Sequence, residues 1–438
     1  MALGTDTPTA LDVPADLVDG SRLGRVVNYE RAVAVFGRGP VEHLARHYNI
    51  GDELGYAAYL ALRNVEGAPG PGRKMFLQAL EHGIDSVEGA PPELVTLFKS
   101  VDDVPDWVDW DQLHRGSVAY WRVGKLTVMA LAYAAIGAGF RTYGGSRELV
   151  LSRRLIERDQ VGRRLIETLR WAANASKPEG MRRHSDGFRM TMKVRMLHAA
   201  VRYHCSRSRH WDWNDWGISV DNVSAVYTMG TLFTEAVIDA LAKGGIRLRD
   251  SERDDIVALW RYIGYVMGIP DDINFTDWAD LKQKSGIIRM LEHPADDGCR
   301  ALMRSLIDYM CEEKIEGYHV LPPFVDERLT AAQKKTLTHG LMRAWAGDDI
   351  CEQLAVPDNR LRDLVPAARP LIRAYDALRR RLPSYDDQAA ARRSLTEFDV
   401  AIALEEGAPE VAPADDVVDM LARNEPSARK ALDTGTYR

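Results

Sequence analysis

The amino-acid sequence predicts an all-α protein that folds as one large helical domain. Apolar residues recur at spacings of three and four through most of residues 27–380, which is the periodicity of helices that bury one face. Glycine- and proline-rich stretches such as VEGAPPE and SKPEG separate these segments, and the alternating runs typical of strands are scarce. The sequence contains no internal repeat and no linker in its middle, so we place the domain at residues 26–383.

The predicted helices begin and end at recognisable signals. Residues 92–100 start at the proline pair of EGAPPE, and residues 251–267 are followed by Gly-Ile-Pro, which stops a helix. In chain order the predicted helical segments are 27–49, 53–64, 73–83, 92–100, 117–140, 147–155, 158–175, 187–206, 222–243, 251–267, 280–290, 297–313, 330–345 and 358–380.

The longest apolar run and the two chain ends complete this prediction. The run LTVMALAYAAIGAGF (126–140) is shorter than the roughly 20 residues of a membrane-spanning helix, so we interpret it as a buried helix and expect no transmembrane segment. Residues 1–25 have the composition of a flexible lead. Residues 384–438 are acidic and rich in Ala and Pro, which predicts a loosely attached tail.

Composition excludes several classes of protein. The 57 Lys and Arg residues against 64 Asp and Glu give a net charge of −7 and a pI near 5.9, which argues against a nucleic-acid binder. The four cysteines form no CxxC or CxxCH motif, so neither a zinc ribbon nor a covalently attached c-type haem is predicted. The first residues include no basic, apolar or twin-arginine signal, and we expect a reduced, cytoplasmic protein.

A histidine in the stretch KVRMLHAAVRYH (193–204) is the first candidate for chemistry. His198 lies within an apolar helical stripe, with Arg195 three residues before it and Arg202 four residues after it on the same face. One interpretation is a hydrogen-bonded core histidine beside two structural arginines. The other is a metal-ligating histidine, with the arginines holding an anion near the metal. The spacing alone leaves both open.

A second polar face occurs in VGRRLIETLRW (161–171). Arg164, Glu167, Thr168 and Trp171 recur at helical spacing and together offer a cation, a carboxylate, a hydroxyl and an indole. A solvated amphipathic face with an ion pair accounts for the same pattern.

The stretch DDVPD (102–106) has the DDxxD spacing by which prenyl-diphosphate enzymes hold Mg²⁺. Asp102, Asp103 and Asp106 would chelate the ion from one helical face, with PDDINFTD (270–277) as a weak second cluster. Pro105 interrupts that face, so we keep this as a minor alternative.

Five stretches occur in the order and style of one known family. They are VPDWVDWDQLHRG (104–116), GRRLIETLRW (162–171), KVRMLHAAVR (193–202), GISVDNVSAVYTMGTLF (217–233) and WRYIGYVMGIPDDIN (260–274). Together they resemble the latex-clearing proteins (rubber oxygenases) and the MpaB-type oxygenases, and the resemblance spans roughly residues 25–380. That family is all-α and binds non-covalent haem b. The resemblance therefore implies globin-like packing of helices around a haem, with O₂ as the co-substrate.

The resemblance also implies roles for the residues of the VRxxHAxVR motif. His198 would be the axial ligand of the haem iron, because a neutral imidazole is a good donor to iron. Arg195 and Arg202 would support the haem site by pairing with propionates or with carboxylates behind them. Thr228 matches a threonine that lies close to the haem.

Catalytic positions are implied in the same way. Arg164 and Thr168 match polar positions of the distal pocket, where they would donate hydrogen bonds to dioxygen. Glu148, in GGSRELV, falls where rubber oxygenases carry a glutamate proposed as a base.

The sequence departs from the family at Glu167, which stands where rubber oxygenases have a lysine able to cap the iron. A carboxylate is a poorer ligand for ferrous iron than the lysine amine, so we do not expect a resting state in which this side chain caps the iron. Glu167 is instead a second candidate for the general base. Rubber oxygenases are also exported, whereas this sequence shows no export signal, so we expect a substrate smaller than solid rubber.

The predicted function is a haem-dependent oxygenase acting with O₂ on an apolar, alkene-containing, isoprenoid-like small molecule. Cleavage of the C=C bond would give two carbonyl products. The alternatives are a haem-binding sensor or carrier without turnover and, less favoured, a Mg²⁺-dependent prenyl-diphosphate enzyme.

Overall fold

The all-α prediction is confirmed. The computed structural model describes residues 25–65, 70–152, 158–312 and 328–403, and within these ranges the chain forms α-, 3₁₀- and π-helical segments and no β-strand. The helices are α1 (Tyr29–Phe36), α2 (Arg38–Arg46), α3 (Glu53–Arg63), α4 (Gly70–His82), α5 (Pro92–Asp102), α6 (Trp110–Trp121), α7 (Lys125–Gly139), α8 (Arg147–Ser152), α9 (Arg158–Ser176), α10 (Asp186–Arg207), α11 (Trp213–Trp216), α12 (Asn222–Lys243), α13 (Asp250–Met267), α14 (Trp278–Leu291), α15 (Asp297–Glu312), α16 (Ala331–Ala346), α17 (Asp348–Gln353), α18 (Leu364–Arg379) and α19 (Asp387–Ala403).

Two predicted helices are each divided at a glycine. The segment 27–49 is interrupted at Gly37, which has φ +87°, and the segment 117–140 is interrupted at Gly124, which has φ +66°. Both values lie in the left-handed region that glycine adopts without steric cost. The chain therefore changes direction between α1 and α2 and again between α6 and α7.

Helix α13 is central to the core. It packs along α6 and also contacts α9, α10 and α12. Its Trp260 is fully buried and stacks on Phe233 of α12, with ring centroids 4.9 Å apart. Trp171 of α9 meets both rings edge-on, and its indole N–H donates to the Thr191 hydroxyl of α10 at 3.1 Å. This aromatic cluster holds together the helices that carry the candidate site.

Helices α7 and α12 each contain a π-helical segment, at Leu131–Ile136 and Tyr227–Ala236, and the two segments pack against each other. Among the described residues, α12 is also the one helix that is long and apolar enough to cross a membrane by length and composition. In its most apolar window, 72% of the residues are buried inside the protein, as in a core helix.

The predicted tail begins too early. Residues 387–403 form α19, which packs on α6 and α9, and residues 404–438 lie outside the described part of the chain. Phe398 is 3% exposed and lies against Trp121 with ring centroids 5.5 Å apart. The acidic, Ala-rich composition obscured the few apolar residues that anchor this helix. At the other end Arg25 is buried and forms an ion pair with Asp221 at 2.8 Å, so it belongs to the domain.

We expect Phe398→Ala to lower the free energy of unfolding by about 3–5 kcal/mol, because it leaves a cavity between α19 and α6. Urea denaturation followed by circular dichroism measures this. Leu371→Ala is the control, since Leu371 is 74% exposed and its removal should change stability by no more than about 0.5 kcal/mol. A Phe398→Ala protein as stable as the wild type would restore the predicted boundary at residue 383.

Candidate functional site

A cavity of about 290 Å³ lies among α7, α8, α9, α10 and α12. Its wall is mainly apolar, which suits a small-molecule or cofactor site with a few placed polar groups. The polar side chains on the wall are those of Thr142, Glu148, Ser152, Arg164, Thr168, His198, Ser224, Tyr227 and Thr228. Of the eight predicted site residues, the fold thus brings together His198, Arg164, Thr168, Glu148 and Thr228.

His198 reaches the cavity from the middle of α10. Within the described residues its imidazole makes no hydrogen bond, so the interpretation as a hydrogen-bonded core histidine is wrong. Burial, together with the positive charges of Arg164 and Arg202, lowers its pKa to about 3. The ring is therefore neutral at pH 7 and keeps an unshared electron pair on one nitrogen.

These properties fit a haem iron ligand. A neutral imidazole is the usual nitrogen donor to iron in proteins, and the apolar wall around it suits a porphyrin. Burial and the two nearby arginine charges lower the pKa of the ring, so they favour its neutral form over an ion-pairing role.

Arg195 and Arg202 do not lie on the cavity wall. Arg195 forms a bidentate ion pair with Asp52, with Nε–Oδ2 and Nη2–Oδ1 distances of 2.6 and 2.7 Å, and it also donates to the Val266 carbonyl. Arg202 donates to the backbone carbonyls of Ser219 and Val220. Of the two partners considered for Arg195, a haem propionate or a carboxylate of the protein, the structure shows a protein carboxylate, that of Asp52. Helical spacing placed both arginines on the face of His198, but it could not show which groups they would meet.

Asp52 is a residue that sequence reasoning missed. It caps the N-terminus of α3 by accepting from the Gly55 N–H at 3.1 Å, and its side chain is 12% exposed. Burial acts to raise the pKa of Asp52, but the adjacent Arg195 outweighs this and holds the pKa below its usual value. The available signal was the cap-like Asp before ELGYAAYL, which predicts a helix start and says nothing of Arg195.

Val220 was also missed, and it carries backbone strain. Its φ of +50° is rare for a β-branched residue and costs about 1–3 kcal/mol. Both of its peptide groups are held: the N–H donates to Glu148 Oε1 at 2.9 Å, and the carbonyl accepts from Arg202. Arg202 thus fixes the loop that carries Val220, and this loop in turn holds the carboxylate of Glu148 from α8.

Glu148 and Glu167, the two candidate bases, are placed differently. Glu148 lines the cavity, and burial raises its pKa above the ordinary glutamate value. The hydrogen bond from Val220 acts to lower the pKa but does not cancel the effect of burial. Glu167 is buried but is not part of the cavity wall, and it pairs with Arg164 at 3.4 Å. Adjacent residues of a helix point about 100° apart, which turns Glu167 away from the face of Thr168.

The hydroxyls of Thr168 and Thr228, two of the three threonines on the wall, are already used as donors. Thr168 donates to the Arg164 carbonyl at 2.9 Å, and Thr228 donates to the Ser224 carbonyl at 2.8 Å. Their remaining lone pairs can accept hydrogen bonds in the cavity. Arg164 has several N–H groups, of which one bonds to Glu167.

The predicted magnesium site does not form. Helix α5 ends at Asp102, so Asp103 and Asp106 follow in the turn and do not share a helical face with it. Asp102 accepts from Arg183 Nε at 2.6 Å. In the described part of the chain these three carboxylates belong to no group of metal-ligating atoms.

Comparisons with known proteins agree with the fold and with the family resemblance. The family model described as "ER-bound oxygenase mpaB/B'/Rubber oxygenase, catalytic domain" matches residues 110–380. The rubber oxygenase of Streptomyces sp. (strain K30) is 22% identical over 232 residues, which are 51% of this chain and 54% of that protein. The chain thus spans about half the length of this curated relative.

A solved structure of latex clearing protein LCP in the closed state matches with a TM-score of 0.55 at 18% identity. The match covers 80% of this chain and 91% of that chain. At this identity the likeness bears on the fold alone.

We expect Asp52→Ser to lower the free energy of unfolding by about 3–5 kcal/mol, because it leaves the Arg195 guanidinium buried without a carboxylate. Serine keeps an oxygen able to cap α3, so a lost cap does not explain the change. Urea denaturation of Asp52→Ser, Arg195→Met and the double variant measures the pair. The double variant should lose less than the sum of the single losses; strict additivity would contradict the coupling.

Proposed function

The chain belongs to the catalytic-domain family of the MpaB-type and rubber oxygenases, and on that premise we propose that it is a haem b-dependent oxygenase. Its substrate would be an apolar, alkene-containing small molecule, cleaved with O₂ at the C=C bond to two carbonyl products. The observation that carries the proposal is the neutral, unbonded His198 imidazole on the wall of an apolar cavity.

His198 would hold the haem iron through its free ring nitrogen. When bound, the haem supplies the activation of dioxygen. Arg195 and Arg202 would not contact the cofactor directly. Arg195 anchors α10 to Asp52, and Arg202 anchors it to the loop at Val220, so together they fix the position of the imidazole. Such supporting contacts orient a metal ligand and tune its strength.

Arg164 is the best-placed cationic donor on the cavity wall. It has N–H groups beyond the one that bonds Glu167, and its charge stabilises negative charge that develops on oxygen in a site of low dielectric. Thr168 contributes acceptor lone pairs, because its own proton is donated to the Arg164 carbonyl. This refines the sequence prediction that both residues donate to dioxygen.

Glu148 would be the general base. Its carboxylate lies on the same wall, and the raised pKa makes it a better acceptor for a proton from an allylic carbon of the substrate. The wall contributed by Phe140, Leu165 and Phe233 excludes water and favours hydrocarbon over polar ligands.

A haem-binding sensor or carrier is the competing function for the same cavity. Ferrous protein mixed with O₂ and isoprenoid alkenes separates the two. Carbonyl products detected by mass spectrometry support the oxygenase, whereas a stable oxygen complex without product would support the carrier.

We expect His198→Ala to abolish haem retention and activity, because the cavity offers the iron no equivalent nitrogen donor among its described lining residues. The Soret band and the pyridine haemochrome of the purified protein measure haem content. His204→Ala, on the same helix but outside the cavity wall, is the matched control and should bind haem normally. A full Soret band in His198→Ala would remove the ligand assignment.

We expect Glu148→Gln to reduce kcat by about 10²–10⁴-fold, the usual contribution of a general base. Glutamine keeps an oxygen for the Val220 N–H, so the loop should hold its shape. Glu167→Gln should retain most of the activity, since Glu167 is off the cavity wall.

The pH profile gives a second readout for Glu148. Because the ionised carboxylate is the active form and its pKa is raised above 4.5, the wild-type rate should fall as pH drops through that raised value. This fall in rate at acidic pH should be absent from the pH profile of Glu148→Gln. A larger loss in Glu167→Gln than in Glu148→Gln would reverse the assignment of the base.

A further inference from the structure

The turn PDDIN (270–274), which the oxygenase chemistry does not use, meets two histidines of the N-terminal helices. His43 lies in α2, and His47 follows in the 3₁₀ turn at His47–Asn49, so the two are four residues apart and face the same way. Asp272 reaches them from the turn after α13. None of the three lies on the wall of the His198 cavity.

The ligand atoms of these three residues are close enough to share one ion. One atom from each residue lies within 4.8 Å of the other two. Asp272 Oδ2 is 3.6 Å from His43 Nε2 and 3.3 Å from His47 Nε2. Ligands about 2.0–2.1 Å from a tetrahedral zinc ion are about 3.3–3.4 Å from each other, and the two contacts of Asp272 already have nearly this spacing.

The scaffold holds these groups in place while leaving access from solvent. The carbonyl of Pro270 accepts the N–H groups of Ile273 and Asn274, which fixes the turn that carries Asp272. The side chains of His43 and Asp272 are about half exposed, at 45% and 55%, whereas that of His47 is 10% exposed. A metal ion can therefore enter, and water can complete its coordination.

We propose that His43, His47 and Asp272 form a binding site for one divalent transition-metal ion of the zinc type. A donor set of two imidazoles and one carboxylate favours zinc. It is less suited to magnesium or calcium, which prefer oxygen ligands.

Metal binding competes with hydrogen bonds that the apoprotein already makes. His43 Nε2 lies 3.1 Å from the Asp272 carbonyl oxygen, and this contact would be given up. His47 Nδ1 is buried without a hydrogen-bond partner, so binding through Nε2 leaves the proton on Nδ1 unsupported. Missing support of this kind typically weakens metal affinity about 10–100-fold, so we expect a moderate rather than a very tight site.

An ion here would join α2 to the turn after α13. Asp52, the partner of Arg195, lies five residues beyond His47, so the ion would also stiffen the segment that anchors α10. The site is therefore structural in character. Because the metal binds the folded state, the melting temperature should rise with zinc concentration.

Zinc titration of the full-length, haem-loaded protein tests the proposal. After treatment with EDTA and buffer exchange, isothermal calorimetry with ZnCl₂ should show one equivalent bound. His43→Ala and Asp272→Asn should each weaken binding at least about tenfold, because losing a ligand should cost no less than losing a group that supports one, which costs about 10–100-fold. His82→Ala, which removes another exposed histidine at a helix end, should bind zinc as the wild type does.

A second readout does not depend on the stability of the variants. Zinc should protect His43 from modification by diethyl pyrocarbonate, measured by peptide mass spectrometry, while His82 stays reactive. Zinc binding should also persist in His198→Ala, which separates this site from the haem cavity. The absence of a stoichiometric equivalent, or equal affinity in His43→Ala and the wild type, would reduce the cluster to histidine–carboxylate hydrogen bonding.

Discussion

The bidentate ion pair between Arg195 and Asp52 is the interaction on which the candidate site depends. It joins the middle of α10 to the N-terminus of α3, and it lies less than one helical turn from His198. Arg202 makes the second attachment of the same helix, to the loop before α12. An imidazole on a helix fixed at both sides has little freedom to leave the cavity.

Burial and the charges of nearby arginines set the electrostatics of the site. Desolvation by burial is the main reason that His198 stays neutral, and the positive charges of Arg164 and Arg202 act in the same direction. The negative charge of Asp52 opposes them only in part. A ring that cannot take a proton at physiological pH remains available as a ligand, which is the property that distinguishes it from a histidine in an ion pair.

Backbone strain at Val220 and π-helical turns in α7 and α12 shape the parts of the cavity wall that do not come from α10. Val220 keeps a positive φ because Glu148 and Arg202 hold its two peptide groups, and the same contacts place the Glu148 carboxylate in the cavity. The π-helical segments of α7 and α12 widen their turns and supply Ile136, Thr228 and Phe233 to the wall. Irregular turns inside helices often occur at functional sites.

The sequence by itself determined the all-α class, most helix positions and the family resemblance, and it singled out His198 as a candidate, because periodicity and short motifs are local properties of the chain. It also identified Arg164, Thr168, Glu148 and Thr228, which the fold gathers on one wall. Only the tertiary structure showed that Glu148 lies on the cavity wall and Glu167 does not, and which groups Arg195 and Arg202 contact. It also showed that the carboxylates of DDVPD do not form a metal site and that α19 packs on the domain. Each of those outcomes depends on which groups from distant segments meet in space, and spacing along one helix carries no information about the side chains that another helix brings to it.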